Sequence, residues 1–227
     1  VWVAACASGE EAYSLAILAK EYQESERIRV DMQFFATDVD PKALNTARNG
    51  RYKQNIESDV PSHLLQKYFQ KKDDVYQVHK DIRDMITFAA HSTIKDPPYS
   101  KLDLISCRNF LIYLESDVQK HVLNTFHYSL QPDKYLLLGH SETHTIKSEL
   151  FESIDSKARI FQKKENRKAI VDYLSESRKQ EMHWSSNETR AVPGKKKLTL
   201  KEFAENKALK EHLQPFLLIN KKEIGRA

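Results

Sequence analysis

Two adjacent carboxylates, Glu10 and Glu11, follow a glycine at the end of the first apolar run of the sequence. A glycine turn between a strand and a helix allows a ligand to approach backbone N–H groups closely. Two acids at this position would repel a pyrophosphate, so the turn favours a ligand with a cationic or hydroxyl-rich part. Ser8 and Glu11 also fit a capping box, in which each side chain satisfies the other's backbone N–H. That alternative gives them a structural role only.

A second candidate for ligand binding, Asp38, follows the apolar run of residues 32–37. An acid just beyond the second strand of a nucleotide-binding α/β unit commonly accepts hydrogen bonds from ribose hydroxyls. The neighbouring Asp40 is better explained as the N-cap of a helix, because Pro41 follows it at the first helical position. Asp38 has no comparable structural explanation in the sequence, and we therefore predict that it binds ribose.

A third polar group, Arg108 and Asn109, follows Cys107 at the end of the apolar run of residues 102–107. Side chains at the carboxyl end of a buried strand lie at the edge of a parallel sheet where ligands bind. An ordinary turn between a strand and a helix would also explain these residues. The residue types alone leave both interpretations open.

Apolar runs and helical patterns alternate along the first 140 residues, which is typical of a mostly parallel sheet with helices on both faces. Periodicity predicts a helix after each of the first two strands, one at about residues 61–69 and one from about Ser116. The strand that starts at Val1 should lie in the centre of the sheet beside the strand that ends at Cys107. The predicted strands are residues 1–6, 32–37, 76–78, 86–90, 102–107 and 135–139.

Composition and charge narrow the class of protein. With 36 basic and 32 acidic residues, the net charge of +4 is too balanced to indicate a nucleic-acid-binding protein. The two cysteines have no metal-ligand spacing, and no run approaches the roughly 18–20 apolar residues of a membrane helix. Because no signal peptide is present, we expect a cytoplasmic location.

The composition changes after about Lys163 and divides the chain into three segments. Residues 1–163 form the predicted α/β domain. Residues 164–213 are rich in Lys and Glu and have no clear strand, which indicates a partly helical linker. Residues 214–227 include a strand-like apolar run, the expected start of a further domain. Because the chain opens in a strand without Met, we interpret it as a piece of a longer protein.

Four motifs occur in order and at compatible spacing, and together they resemble the chemoreceptor glutamate methyltransferases. The resemblance covers residues 1–163 and implies a Rossmann-like, class I S-adenosylmethionine-dependent methyltransferase fold. Residues 95–106 are similar to hybrid members, in which methylesterase and methyltransferase domains are fused and followed by a PAS-type sensor. Residues 214–227 would then be the start of that sensor. The four motifs are residues 7–14, 36–40, 107–113 and 138–142.

The resemblance also implies roles for individual residues. Glu11 would lie at the cofactor, Asp38 would hold its ribose, and Ser92 and Thr93 would line the adenine region. Arg108 and Tyr113 are the candidates to position the substrate carboxylate. The implied cofactor-binding residues are Glu11, Asp38, Ser92, Thr93, Cys107, Arg108 and Asn109.

The sequence departs from the family pattern in three places. Ser92-Thr93 replaces an Asn-Leu pair, and Ser8 stands where Thr is usual. The N-terminal helical segment of the family, which covers the methyl end of the cofactor, does not precede Val1. We therefore expect this chain to bind the cofactor weakly and to transfer methyl groups slowly.

The implied reaction transfers a methyl group from S-adenosylmethionine to a glutamate side chain of a chemotaxis-type receptor, forming a methyl ester in signal transduction. Two alternatives remain open at this point. One is a catalytically weak, cofactor-binding sensor or scaffold in a hybrid signalling protein, which the substitutions at Ser92 and Thr93 favour. The other is a methyltransferase for small molecules or nucleic acid, and the lack of a basic, aromatic-rich stripe argues against nucleic acid.

Overall fold

The computed structural model describes residues 1–145 and 149–166, apart from the side chains of residues 143–145. Most of the predicted linker and the whole strand-like segment at 214–227 therefore lie outside the described residues. Within the described part, no helix is both long and apolar enough to cross a membrane.

Ten strands alternate with helices along the described chain. The helices are α1 (Glu10–Ser25), α2 (Pro41–Asn49), α3 (Ser62–Tyr68), α4 (Lys80–Arg83) and α5 (Ser116–Ser129), with 3-10 helices at Gln54–Ser58, Leu111–Tyr113 and His140–Thr145. The strands are β1 (Trp2–Ala4), β2 (Phe34–Asp38), β3 (Arg51–Lys53), β4 (Phe69–Lys72), β5 (Val75–Val78), β6 (Ile86–Ala90), β7 (Leu102–Cys107), β8 (Leu130–Leu138), β9 (Phe151–Asp155) and β10 (Ile160–Lys163).

Seven of these strands form the main sheet, in the order β6-β2-β1-β7-β8-β10-β9. The first five are parallel, and β10 and β9 extend the sheet in antiparallel fashion. The mostly parallel sheet is therefore confirmed, as is the pairing of β1 with the strand that ends at Cys107. The central strand is β7 and not β1, because β10 and β9, which were not predicted, extend the sheet beyond β8.

The short strand β1 separates two cores, because its successive side chains point to opposite faces of the sheet. Val3 packs in the core that contains the buried residues of α1 and α2, whereas Trp2 and Ala4 pack in the core that contains those of α5. The Trp2 indole is fully buried, lies edge-on to Phe126 and donates a hydrogen bond to the Thr37 hydroxyl at 2.8 Å. Helices thus cover both faces of the sheet, as predicted.

Helix α2 begins and ends at the residues that the sequence predicts. The Asp40 carboxylate accepts a hydrogen bond from the Lys42 N–H at 2.8 Å, and Pro41 occupies the first helical position. Gly50 ends the helix in the left-handed conformation, with φ of 57°. Strand β8, by contrast, begins five residues earlier than predicted, because its residues around Pro132 pair irregularly with β7 and resemble a turn in the sequence.

A second, three-stranded antiparallel sheet follows α2, in the order β3-β5-β4. Only β5 was predicted, because β3 and β4 are short and carry exposed charged residues. Tyr52 of β3 donates a hydrogen bond from its hydroxyl to the main-chain oxygen of Ser8 at 2.9 Å. The small sheet therefore packs against the loop between β1 and α1.

Candidate functional site

The carboxyl ends of β6, β2, β1 and β7 lie side by side at one edge of the main sheet. Register pairs Ala4 with both Thr37 and Cys107, and it pairs Asp38 with Ala90. This arrangement brings the predicted cofactor-binding residues to one edge, either at the strand ends or in the segments that follow. They are Glu11, Asp38, Ser92, Thr93, Cys107, Arg108 and Asn109.

The loop after β1 has an unusual backbone. Ala5 and Ala7 have φ of 55° and 46°, in the left-handed region, and Gly9 has φ of 93°. A Cβ atom on Gly9 would lie 2.8 Å from the Cβ of Ala47, so the loop also needs glycine for its close packing on α2. Left-handed alanines are uncommon and occur where the surrounding structure imposes them, often at ligand sites.

Asp38 holds this loop in place, a role that the sequence did not indicate. One of its carboxylate oxygens accepts from the Ala7 N–H at 2.9 Å, and the other accepts from the Asp40 N–H at 2.9 Å. Each oxygen can accept a second hydrogen bond, and the side chain is only half-buried. The predicted contact with ribose thus stays compatible with the geometry and remains a prediction.

The interpretation of Ser8 and Glu11 as a capping box is wrong. Helix α1 has Gly9 as its N-cap and no side-chain cap. The Ser8 hydroxyl instead donates to the Glu10 carboxylate at 2.8 Å, and the Glu11 carboxylate accepts from the Ser106 hydroxyl of β7. The left-handed Gly9 turns Ser8 away from the helix, and Ser106 offers Glu11 a partner from the neighbouring strand.

Glu11 is a predicted site residue whose ionisation is strongly shifted by its surroundings. Burial raises the pKa of its carboxyl group to about 7, although the Ser106 hydroxyl and the charge of Arg108 act to lower it. The charge of Glu142 raises the pKa further. Near neutral pH, Glu11 therefore changes between its neutral and ionised forms, which makes its charge sensitive to any cation that binds beside it.

Ser92 and Thr93 follow β6 in a short turn. The Ser92 N–H donates to the Asp96 carboxylate at 2.7 Å, and the Ser92 hydroxyl accepts from the Lys95 N–H at 3.2 Å. Thr93 is 6% exposed. The Ser92 side chain therefore stabilises its own turn, and the assignment of both residues to the adenine region stays a prediction.

The segment after β7 presents a guanidinium at the site. Cys107 is fully buried and lies beneath the surface, whereas Arg108 is half-buried and Asn109 is exposed with φ of 57°. Among the described residues, Arg108 makes no hydrogen bond or ion pair, although its charge acts on Glu11. Tyr113 is also half-buried and ends the 3-10 helix that follows.

Glu142 is a residue whose role the sequence analysis missed. It is 1% exposed, and its carboxylate accepts hydrogen bonds from the backbone N–H groups of Phe110, Leu111 and Gly139, each at 2.7 Å. Its motif was part of the resemblance, but two of its three partners lie more than 30 residues away in the chain. The short spacing from Gly139 was the only local signal.

The cysteines and the carboxylates of the site do not form a metal centre. Cys6 and Cys107 are both buried thiols, and burial raises the pKa of each. In the part of the chain that the structure describes, no group of three or more His, Cys, Asp or Glu side chains could hold a metal ion. The carboxylates of Asp38 and Glu11 at the edge of the sheet are hydrogen-bond acceptors, which suit hydroxyl groups and cations.

Comparison with known proteins gives matches over the same region. Three similar relatives are an uncharacterised 104.1 kDa protein of Rhodobacter capsulatus, a chemotaxis protein methyltransferase of Borreliella burgdorferi and chemotaxis protein methyltransferase 2 of Vibrio cholerae. They are 37%, 39% and 32% identical over 71%, 63% and 66% of this chain. The matches cover 17%, 52% and 54% of those proteins, so the chain spans about half the length of the two methyltransferases.

The CheR methyltransferase S-adenosylmethionine-binding domain matches residues 1–160, which extend from β1 to the start of β10. The match includes every predicted site residue and the two cores that flank the main sheet. The fold agrees with it, since a mostly parallel sheet carries polar groups beyond the carboxyl ends of its strands. The chain therefore belongs to the CheR methyltransferase family, and residues 1–160 are its S-adenosylmethionine-binding domain.

Proposed function

We propose that this chain transfers a methyl group from S-adenosylmethionine to glutamate side chains of a chemotaxis-type receptor, forming methyl esters. The observation that carries the proposal is the half-buried guanidinium of Arg108, which has no hydrogen-bond partner among the described residues and lies in electrostatic range of Glu11. A guanidinium can bind a carboxylate through two parallel hydrogen bonds. A glutamate substrate would satisfy it at the place where the cofactor binds.

The residues at the edge of the sheet fit the cofactor. The Asp38 carboxylate has free acceptor capacity for ribose hydroxyls, and Glu11 offers an acid for a cationic group. The left-handed loop at Ala5, Ala7 and Gly9 allows a ligand to approach the backbone closely. When bound, S-adenosylmethionine supplies a methyl group on a sulfonium, and the group that leaves is a neutral thioether.

The protein needs no strong base for this reaction. A glutamate side chain with an ordinary pKa of about 4.3 is ionised at pH 7 and is already nucleophilic. The contribution of the protein is then to align one carboxylate oxygen with the methyl group, because well-oriented reactants avoid most of the entropic cost of meeting. We assign this role to Arg108, with the Tyr113 hydroxyl as a second contact.

The proposal is tested by incubating the chain with methyl-labelled S-adenosylmethionine and a receptor signalling fragment. We expect label on the receptor that alkali releases, as it does from methyl esters, and loss of that label when the receptor glutamates are replaced by alanine. Transfer should exceed that of the Arg108→Ala variant. Cofactor binding without any transfer would contradict the proposal and favour the scaffold function.

Glu11 should make cofactor binding depend on pH. Because its pKa is raised to about 7, the carboxyl group is mostly neutral at pH 6 and mostly ionised at pH 8. Only the ionised form attracts a cation, so the dissociation constant for S-adenosylmethionine should fall about tenfold between these pH values. Calorimetry at both pH values measures this change, and Glu11→Gln should abolish it. An equal pH dependence in Glu11→Gln would assign the titration to another group.

We further propose residues 1–163 as the catalytic unit, 164–213 as a linker and 214–227 as the start of a PAS-type domain. The first boundary is supported by β10, which ends at Lys163 and completes the main sheet. A fused methylesterase domain, as in the hybrid members, is part of the same proposal.

A further inference from the structure

The carboxylate of Glu142 connects two segments at the functional edge of the sheet. It accepts from Phe110 and Leu111 after β7 and from Gly139 after β8, and these two strands are parallel neighbours. We infer that Glu142 is a positioning residue, which fixes Arg108 and Asn109 for methyl transfer by holding the backbone directly after them. This inference rests on the function proposed for Arg108.

The hydrogen bonds to Glu142 satisfy the backbone N–H groups of Phe110 and Leu111. The 3-10 helix at Leu111–Tyr113 has Phe110 as its N-cap, and no side chain of its own segment caps it. The first N–H groups of a helix lack partners within the helix, and a negative charge at that end is favourable. Glu142 supplies both an acceptor and a charge from a distant part of the chain.

The backbone before this helix is in an uncommon conformation. Asn109 has φ of 57°, in the left-handed region, which asparagine adopts more readily than most other residues with a side chain. Glu142 holds the next residue, Phe110, while β7 holds the chain on the other side as far as Cys107. Arg108 and Asn109 are therefore the only link between two fixed points, and the direction of the guanidinium depends on both.

Gly139 packs closely against Glu142 and Asn109. A Cβ atom at this position would lie 2.7 Å from the Glu142 Oε2 atom and 3.1 Å from the Asn109 Oδ1 atom. A side chain there would displace the carboxylate without removing its charge. Gly139→Ala thus perturbs the same contact by a different route from a substitution of Glu142.

The test compares Glu142→Ala with the parent chain in the methyl-transfer assay. Alanine removes both carboxylate oxygens, so the backbone N–H groups of Phe110, Leu111 and Gly139 all lose their acceptor. We expect kcat to fall about tenfold, because small misplacements of reacting groups are costly. Glu152→Ala, the same substitution at an exposed position on β9, serves as the control and should leave kcat unchanged.

A double-mutant cycle separates positioning from general stabilisation. If Glu142 acts through Arg108, Glu142→Ala should have no further effect on kcat in the Arg108→Ala background. An equal loss in both backgrounds would overturn the inference. If Glu142→Ala does not fold, Gly139→Ala takes its place in the cycle, with the same two outcomes.

Hydrogen exchange keeps the inference testable if the parent transfers no methyl group, an outcome that contradicts only the proposed function. In Glu142→Ala, or in Gly139→Ala, the amides of Phe110 and Leu111 should exchange at least about tenfold faster than in the parent, because they lose their shared acceptor and local opening controls exchange. The amide of Ile105, within β7, should be unaffected. Unchanged exchange at Phe110 and Leu111 would show that Glu142 does not hold this segment, and the inference would be wrong.

Discussion

Replacing Arg108 by alanine is expected to lower kcat for methyl transfer by about 100-fold, while the chain folds as stably as the parent. The guanidinium makes no hydrogen bond or ion pair in the described structure, so its loss removes no internal contact of that kind. Without it, the substrate carboxylate is free to rotate, and a misplacement of about 1 Å costs on the order of 100-fold in rate. Initial-rate assays with saturating cofactor measure the effect.

Two further arginine variants make this result specific. Arg108→Lys keeps the charge but cannot form two parallel hydrogen bonds, so it should recover only a small part of the rate. Arg29→Ala removes an exposed arginine beyond the far end of α1 and should leave the rate unchanged. Full activity of Arg108→Ala would refute the assignment of Arg108 to the substrate carboxylate.

Replacing Asp38 by alanine is expected to weaken binding of S-adenosylmethionine by roughly 10- to 150-fold, which corresponds to about 1.5–3 kcal/mol for one charged hydrogen bond. The free energy of unfolding without cofactor should also fall, by about 1 kcal/mol, because the N–H groups of Ala7 and Asp40 lose their acceptor. Calorimetry and chemical denaturation measure the two effects separately.

Asp40→Ala is the matched control for Asp38→Ala. It removes the N-cap of α2 and should cost about 1 kcal/mol of stability, with cofactor affinity retained. The two variants therefore share a loss of stability and differ in binding. If both bind the cofactor as tightly as the parent, Asp38 does not contact ribose, and its role is limited to the loop after β1.

Elements with local signals were predictable from the sequence. Helix α2 is specified by Asp40, Pro41 and Gly50, all within one stretch of chain, and the structure confirms each of them. Strands β3 and β4 were missed because their stability comes from pairing with β5, which short polar segments do not reveal. The same holds for β9, whose residues after Phe151 are all exposed.

In the candidate site, too, features set by local sequence were predicted, and contacts between residues distant in sequence were not. Strand ends located Glu11, Asp38 and Arg108 at one edge, because parallel strands direct their carboxyl ends the same way. The nearby Ser8 offered Glu11 a local partner in the form of a capping box. The hydrogen-bond partner of Glu11 could not be predicted, because Ser106 lies 95 residues away in the chain. For the same reason the role of Glu142 became visible only with the fold.

The position of β1 has a consequence for folding during synthesis. Val3 pairs with Ala36 on one side and with Ser106 on the other. At a translation rate of about 5–20 residues per second, the second edge of β1 waits roughly 5–20 s for its partner. An unpaired apolar strand edge can pair with other chains. Pairing with β2 covers only the opposite edge, so the edge that faces β7 stays open to such pairing until β7 has been made.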